Sequence, residues 1–141
     1  MLNFDNFGLI LAISFVGVLE TLYLIHKRRL LDHPICPMGG QCDLVLGSKY
    51  NKTFGLHNDI AGLFFYVFFG VLSVLFLFEH RAFLVHQNLI LTTAGFVLTL
   101  ATLMSLRFIY LQWRVIKAWC FWCLMSAGTV FLIDLVMLSV L

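Results

Sequence analysis

Charge is what this sequence has least of. Only 11% of its 141 residues are Asp, Glu, Lys or Arg, against 62% hydrophobic, and the mean hydropathy is +0.99. A soluble domain with so few polar side chains could not cover its own surface, so this composition belongs in a membrane. The net charge of +2 is too small, and the basic residues too scattered, for a nucleic-acid surface. The segment from Met1 to Asp5 carries no basic side chain and no small-residue cleavage site follows, so the first apolar run is expected to be retained as a helix. Repeats and low-complexity tracts are also missing. At roughly 20 residues per spanning helix, the length has room for about four helices and none for a second folded domain.

Four apolar stretches are present, about Phe7 to Ile25, Ile60 to Phe78, Leu89 to Tyr110 and Trp119 to Leu141. Each is long enough, at about 1.5 Å per residue, to cross a hydrocarbon core of about 30 Å. The expected architecture is therefore an all-α integral membrane bundle of four transmembrane helices, one unit over residues 1–141. The long first loop, residues 26–59, is expected to cover the mouth of the site, with a short helix from Gln41 to Tyr50. It holds both prolines and half of the charged residues. The connections Glu79 to Asn88 and Leu111 to Ala118 are short, which predicts antiparallel neighbours. Small and weakly polar residues recur at helical spacing: Ser14, Gly17 and Thr21; Gly62, Tyr66 and Gly70; Thr92, Gly95, Thr99 and Thr102. Such stripes let helices approach closely in lipid.

The four cysteines are Cys36, Cys42, Cys120 and Cys123. Strict alternation of four helices brings the first and third connections to one membrane face, so the loop pair and the pair heading the last helix can meet. Cys120-Phe121-Trp122-Cys123 is a C-x-x-C at a predicted helix start, where free N–H groups and the helix dipole favour a thiolate. Between Cys36 and Cys42, Gly39 and Gly40 allow the chain to fold back and close a small exchangeable ring. A Cys-only metal site and a pair of inert disulfides are the competing readings. Against metal, a structural zinc site usually organises a domain that lacks a core, whereas helices in a bilayer are already held.

Cys36-x5-Cys42, Asp43 to Tyr50, Phe54-Gly55-Leu56, Ala61 to Tyr66 and the downstream Cys120-x-x-Cys123 together resemble the vitamin K epoxide reductase family in its bacterial form, over nearly the whole chain. DsbB-like quinone reductases follow similar logic with the two cysteine pairs in the reverse order. The resemblance implies a membrane thiol–disulfide oxidoreductase that generates disulfides in a thioredoxin-like or DsbA-like partner and passes the electrons to a quinone, ubiquinone, menaquinone or a relative. Cys36 would engage the partner, Cys42 would exchange with Cys120, and Cys123 would face the quinone. Ser48 matches a hydroxyl the family keeps beside its active site, and Asn58 a polar side chain that hydrogen-bonds the quinone. Ser48 as a turn residue and Asn58 as a helix cap are the alternatives. Ala127 stands where animal members carry a tyrosine, which favours plain quinone reduction over vitamin K epoxide reduction in the strict sense. The thioredoxin-like domain often fused in bacterial members has no counterpart here, so a separate partner is implied. The other class to keep open is a metal-binding membrane adaptor without turnover.

Trp113, Trp119, Phe121 and Trp122 are candidates for an aromatic wall beside the quinone, Trp119 and Trp122 foremost, although Trp also gathers at membrane interfaces without any ligand. Glu20 and Asp134 fall inside predicted spans, where an ionisable group must reach water, the interface or the bundle interior; either could serve a proton path. His57, beside Asn58, is the one histidine placed to relay protons. Lys27, Arg28, Arg29, Lys49, Lys52, Arg107, Arg114 and Lys117 share the cysteine face and leave Arg81 alone opposite. The positive-inside rule makes that face cytoplasmic, whereas exchangeable disulfides belong outside the cytoplasm. The extracytoplasmic arrangement is the expectation adopted, with the inverted topology as its rival.

Overall fold

The structure, a computed structural model, describes residues 3–37, 39 and 41–140. Among the described residues, four helices are long and apolar enough to cross a membrane, as expected: α1 (Phe4–Arg29), α3 (Asn58–Phe78), α5 (Gln87–Tyr110), which continues to Ile116, and α6 (Phe121–Val140). Between them lie α2 (Cys42–Leu46), a 3₁₀ turn (Lys49–Asn51), a two-stranded hairpin of β1 (Lys52–Thr53) and β2 (Leu56–His57), and α4 (His80–Val85). Leu141, expected to close the last helix, and Gly40, expected to help the loop turn, lie outside the described residues.

The helix ends differ from the sequence boundaries for local reasons. α1 runs four residues past Ile25 because Lys27, Arg28 and Arg29 suit a last turn, where cations face the negative end of the helix dipole. The short helix foreseen from Gln41 to Tyr50 is broken: α2 stops at Leu46, and Ser48 hands over to the 3₁₀ turn. The hairpin was not legible, since Phe54-Gly55 is no usual turn pair. Both residues nevertheless take positive φ, 53° and 81°, as a tight two-residue hairpin turn requires. The connection from Leu111 to Ala118 is largely helix as well, wound as a π-helix over Leu111–Ile116 and ended by the left-handed Lys117.

α1 packs between α3 and α6, and α5 lies on the other side of α6, with little contact between α5 and α3. Two pairings show how the ends align. The Arg28 guanidinium meets the Asp59 carboxylate at 3.2 Å, joining the end of α1 to the start of α3. Asn6 donates to Ser139 Oγ at 3.2 Å, joining the start of α1 to the end of α6. Two of the small-residue stripes interlock. A Cβ on Gly17 would lie 2.4 Å from the Tyr66 ring, so only glycine admits that ring, and one on Gly62 would meet the Thr21 methyl at 3.2 Å. The third stripe does not pack this way. Gly95 has open space beside it, and Thr92 and Thr99 donate to their own helix carbonyls. Only Thr102 reaches across, to Asp134 at 3.2 Å. The core away from the cysteines is aromatic: Phe7 stacks on Phe76 at 3.9 Å, and Phe83 meets Phe76 edge-on at 5.0 Å.

Candidate active site

Both cysteine pairs gather at one end of the bundle. Cys42, Val45, Ala118 and Cys120 form a buried cluster, and Cys36, Phe108, Trp122 and Cys123 pack against it. Cys36 and Cys42 are joined by a disulfide, with their Cα atoms 6.1 Å apart, and Cys120 and Cys123 are free thiols. The two middle cysteines are buried and the two outer ones half-buried. Cys36 is half-buried, Cys42 is 2% exposed, Cys120 is fully buried, and Cys123 lines a cavity.

The residues flanking the dithiol hold Cys120 in place. Its N–H donates to Gln112 Oε1 at 2.8 Å, from a side chain with no exposed surface, and Ala118 N–H donates to the Gln112 carbonyl at 3.2 Å. The π-turn thus delivers an amide that sequence reading passed over; its only signal was a lone Gln among apolar residues. At the start of α6 the Cys123 N–H donates to Cys120 Sγ at 3.4 Å. The Cys123 thiol hydrogen bond, more than any other influence, holds the Cys120 thiol below its ordinary pKa. Backbone N–H groups of Cys123 and Trp122 add to this, against burial, which favours the neutral thiol.

The loop is clamped one residue before Cys36. Ile35 N–H donates to the Tyr23 hydroxyl at 3.1 Å, and the Ile35 carbonyl accepts from Trp122 Nε1–H at 2.8 Å. The two rings lie 5.0 Å apart. Tyr23 and Trp122 therefore set where the disulfide sits over α1 and α6.

Beside Cys123 is a cavity of about 530 Å³, within the usual range for small-molecule sites, lined by residues of all four spanning helices and of the loop. Asn58 lines it; its Oδ1 accepts from Thr53 Oγ1–H at 3.0 Å, and its Nδ2 lies 3.5 Å from the Tyr50 carbonyl, so the hairpin sets the amide's direction. The side chain makes no helix cap. Ala127 and Glu20 also line the cavity.

The remaining expected site residues fall elsewhere. Ser48 donates to the Val45 carbonyl at 2.7 Å, closing the turn after α2, and does not line the cavity. Of the aromatic wall, Trp122 alone lines it. Trp119 is 47% exposed and stands apart, Phe121 packs on the cysteine cluster, and exposed Trp113 stacks under the Arg114 guanidinium at 4.3 Å. Trp113 lies in the π-turn and Trp119 before α6, and of the two neighbours that open α6 Phe121 packs on the cysteine cluster while Trp122 reaches the cavity. His57 is absent from the lining too, and burial and the Arg28 charge hold its pKa below the ordinary value. Among the described residues, no group of three or more His, Cys, Asp or Glu side chains is arranged to hold a metal ion.

No individually curated protein matches the chain. A family model does, along nearly its whole length: residues 8–138 match the vitamin K epoxide reductase family. With its four spanning helices and a disulfide beside a dithiol, the chain belongs to the vitamin K epoxide reductase family and is a membrane thiol–disulfide oxidoreductase.

Proposed function

We propose that this protein takes electrons from a thioredoxin-like or DsbA-like partner and passes them, through its loop disulfide and its helix dithiol, to a quinone in the bilayer. The observation that carries the reading is the gathering of four sulfurs in one cluster, with half-buried Cys36 at one end, buried Cys42 and Cys120 between, and half-buried Cys123 lining the cavity at the other. A partner thiolate needs an accessible sulfur, and Cys36 offers one. Its attack there releases Cys42 as a thiolate inside the buried cluster that also holds Cys120. When Cys120 and Cys123 are joined, Cys42 attacks Cys120 and Cys123 leaves. The depressed pKa of Cys120 makes it the better thiolate when the helix pair reacts in turn.

The cavity residues fit a quinone. The lining is mainly apolar, the Asn58 amide can donate to a carbonyl, and both Glu20 oxygens are buried without a partner. A bound quinone supplies the electron sink, taking up two electrons and two protons. With a quinone there, Asn58 would orient it, Trp122 would flank it, and Cys123 would be the dithiol sulfur facing it. Trp119, exposed and outside the cavity lining, serves as an interfacial anchor rather than a wall, and Ser48 acts through the α2 turn that carries Cys42. The active face lies outside the cytoplasm, where the loop disulfide is not held reduced.

Replacing Cys42 tests the relay. Cys42→Ala is expected to abolish quinone-dependent oxidation of a reduced thioredoxin-like substrate, while the Cys120–Cys123 dithiol is still oxidised by added ubiquinone-1. Normal turnover in Cys42→Ala would sink the relay.

A further inference from the structure

Four titratable side chains line the cavity: Glu20, Asp59, Tyr66 and Cys123. Three have an evident engagement. Asp59 is held by the Arg28 guanidinium at 3.2 Å and accepts from Ile60 N–H at 2.9 Å. The Tyr66 hydroxyl is bound by Ser126 and Thr129. Cys123 is half of the dithiol. Glu20 is the exception: it is 4% exposed, and neither carboxyl oxygen has a hydrogen-bond partner among the described residues. An ionised carboxylate stranded inside a membrane bundle costs at least a few kcal/mol. The neutral acid, by contrast, offers an O–H donor to whatever fills the cavity.

Dithiol oxidation by a quinone needs such a donor. Two S–H bonds break, and one S–S bond and two O–H bonds form. Two electrons leave the sulfurs for the ring, and the two thiol protons end on its two oxygens. The Asn58 amide can orient a carbonyl but cannot give up its proton, and Ala127 has none to give. We propose that Glu20 is the proton carrier of this step, its carboxyl O–H protonating the quinone oxygen on the α1 side of the cavity and the Cys123 thiol returning a proton to it. Glu20 ends each turnover as it began, so no further reactant is needed. The proposal rests on the quinone reading given above.

The test uses the full chain in lipid nanodiscs, with ubiquinone-1 as the probe. In an Asp134→Asn background, the quinone-free protein is expected to show the infrared C=O stretch of a protonated carboxyl group. That band should shift on adding ubiquinone-1 and vanish when Glu20→Gln is introduced. In stopped flow, Glu20→Gln is expected to slow oxidation of the Cys120–Cys123 dithiol about 100-fold, the usual loss on removing a general acid. Ubiquinone-1 binding, followed by Trp fluorescence, should change less than about threefold, because the lost interaction belongs to the transition state. A wild-type rate in Glu20→Gln, or a carboxyl band that survives the substitution, overturns the proposal and leaves the quinone reading standing. A parent protein that neither binds ubiquinone-1 nor is oxidised by it overturns the quinone reading, and the proposal with it. Should Glu20→Gln fail to retain the Cys36–Cys42 disulfide, the Asp134→Asn protein still decides: a band unmoved by ubiquinone-1 overturns the proposal.

Discussion

The two ends of this bundle are built on opposite plans. At the end remote from the cysteines, Phe7, Phe76 and Phe83 interlock and α1 is tied to α6 by Asn6 and Ser139. The buried His80 Nδ1 there has no hydrogen-bond partner, but the ring lies against Phe76 at 4.9 Å. At the cysteine end the helices leave a cavity of about 530 Å³, and Glu20, Gln112 Nε2 and His57 Nδ1 have no partners among the described residues. Lipid gives apolar helices little reason to associate, so close packing must hold them. The aromatic end supplies that packing, and the cysteine end is free to hold thiols, a cavity and unpaired polar atoms.

Exposing which compartment each end faces gives an all-or-none result. A membrane-impermeant maleimide is expected to label Cys36 in intact cells only after reductant, while Arg81→Cys at the other end stays unlabelled. The reverse pattern would assign the cysteine end to the cytoplasm, as the basic residues around it suggest under the positive-inside rule.

The next largest effect is at the aromatic end. Phe76→Ala is expected to lower unfolding stability in detergent by about 3 kcal/mol, mainly through the void it leaves. The rate at which a small dithiol reduces Cys36–Cys42 should not change; a matching fall would mean the two ends are not separable.

Gln112→Leu should cost less, about 1–2 kcal/mol, by leaving the Cys120 N–H unpaired. Its signature is chemical. A thiol held below its ordinary pKa is already thiolate at lower pH, so loosening Cys120 should move half-maximal alkylation to higher pH. An unchanged profile would reduce Gln112 to a packing residue.

Much of this could be read along the chain. Apolar run length against bilayer thickness is a one-dimensional property, and it located four spans to within a few residues at most ends. The C-x-x-C was legible as a helix-start pair, and alternation of spans brought it to the same face as Cys36 and Cys42. The π-turn was not legible, because Leu111 to Ile116 extends a helix whose apolar pattern had already ended, and its purpose is apparent only from the Gln112–Cys120 hydrogen bond. Nor could spacing tell Trp122 from Trp119, or Glu20 from Asp134. Trp119 precedes α6 whereas Trp122 lies in its first turn, and Glu20 on α1 faces the cavity whereas Asp134 on α6 meets Thr102.

Hydrophobic length and cysteine spacing are local quantities, so the chain announces its spans and its sulfur chemistry before it folds. Which buried groups find partners depends on atoms far apart in sequence, such as Trp122 on Ile35 and Tyr66 on Ser126 and Thr129. Helix rotation and loop docking settle those meetings, and they alone leave the Glu20 carboxyl without a partner among the described residues, in the cavity that Cys123 also lines.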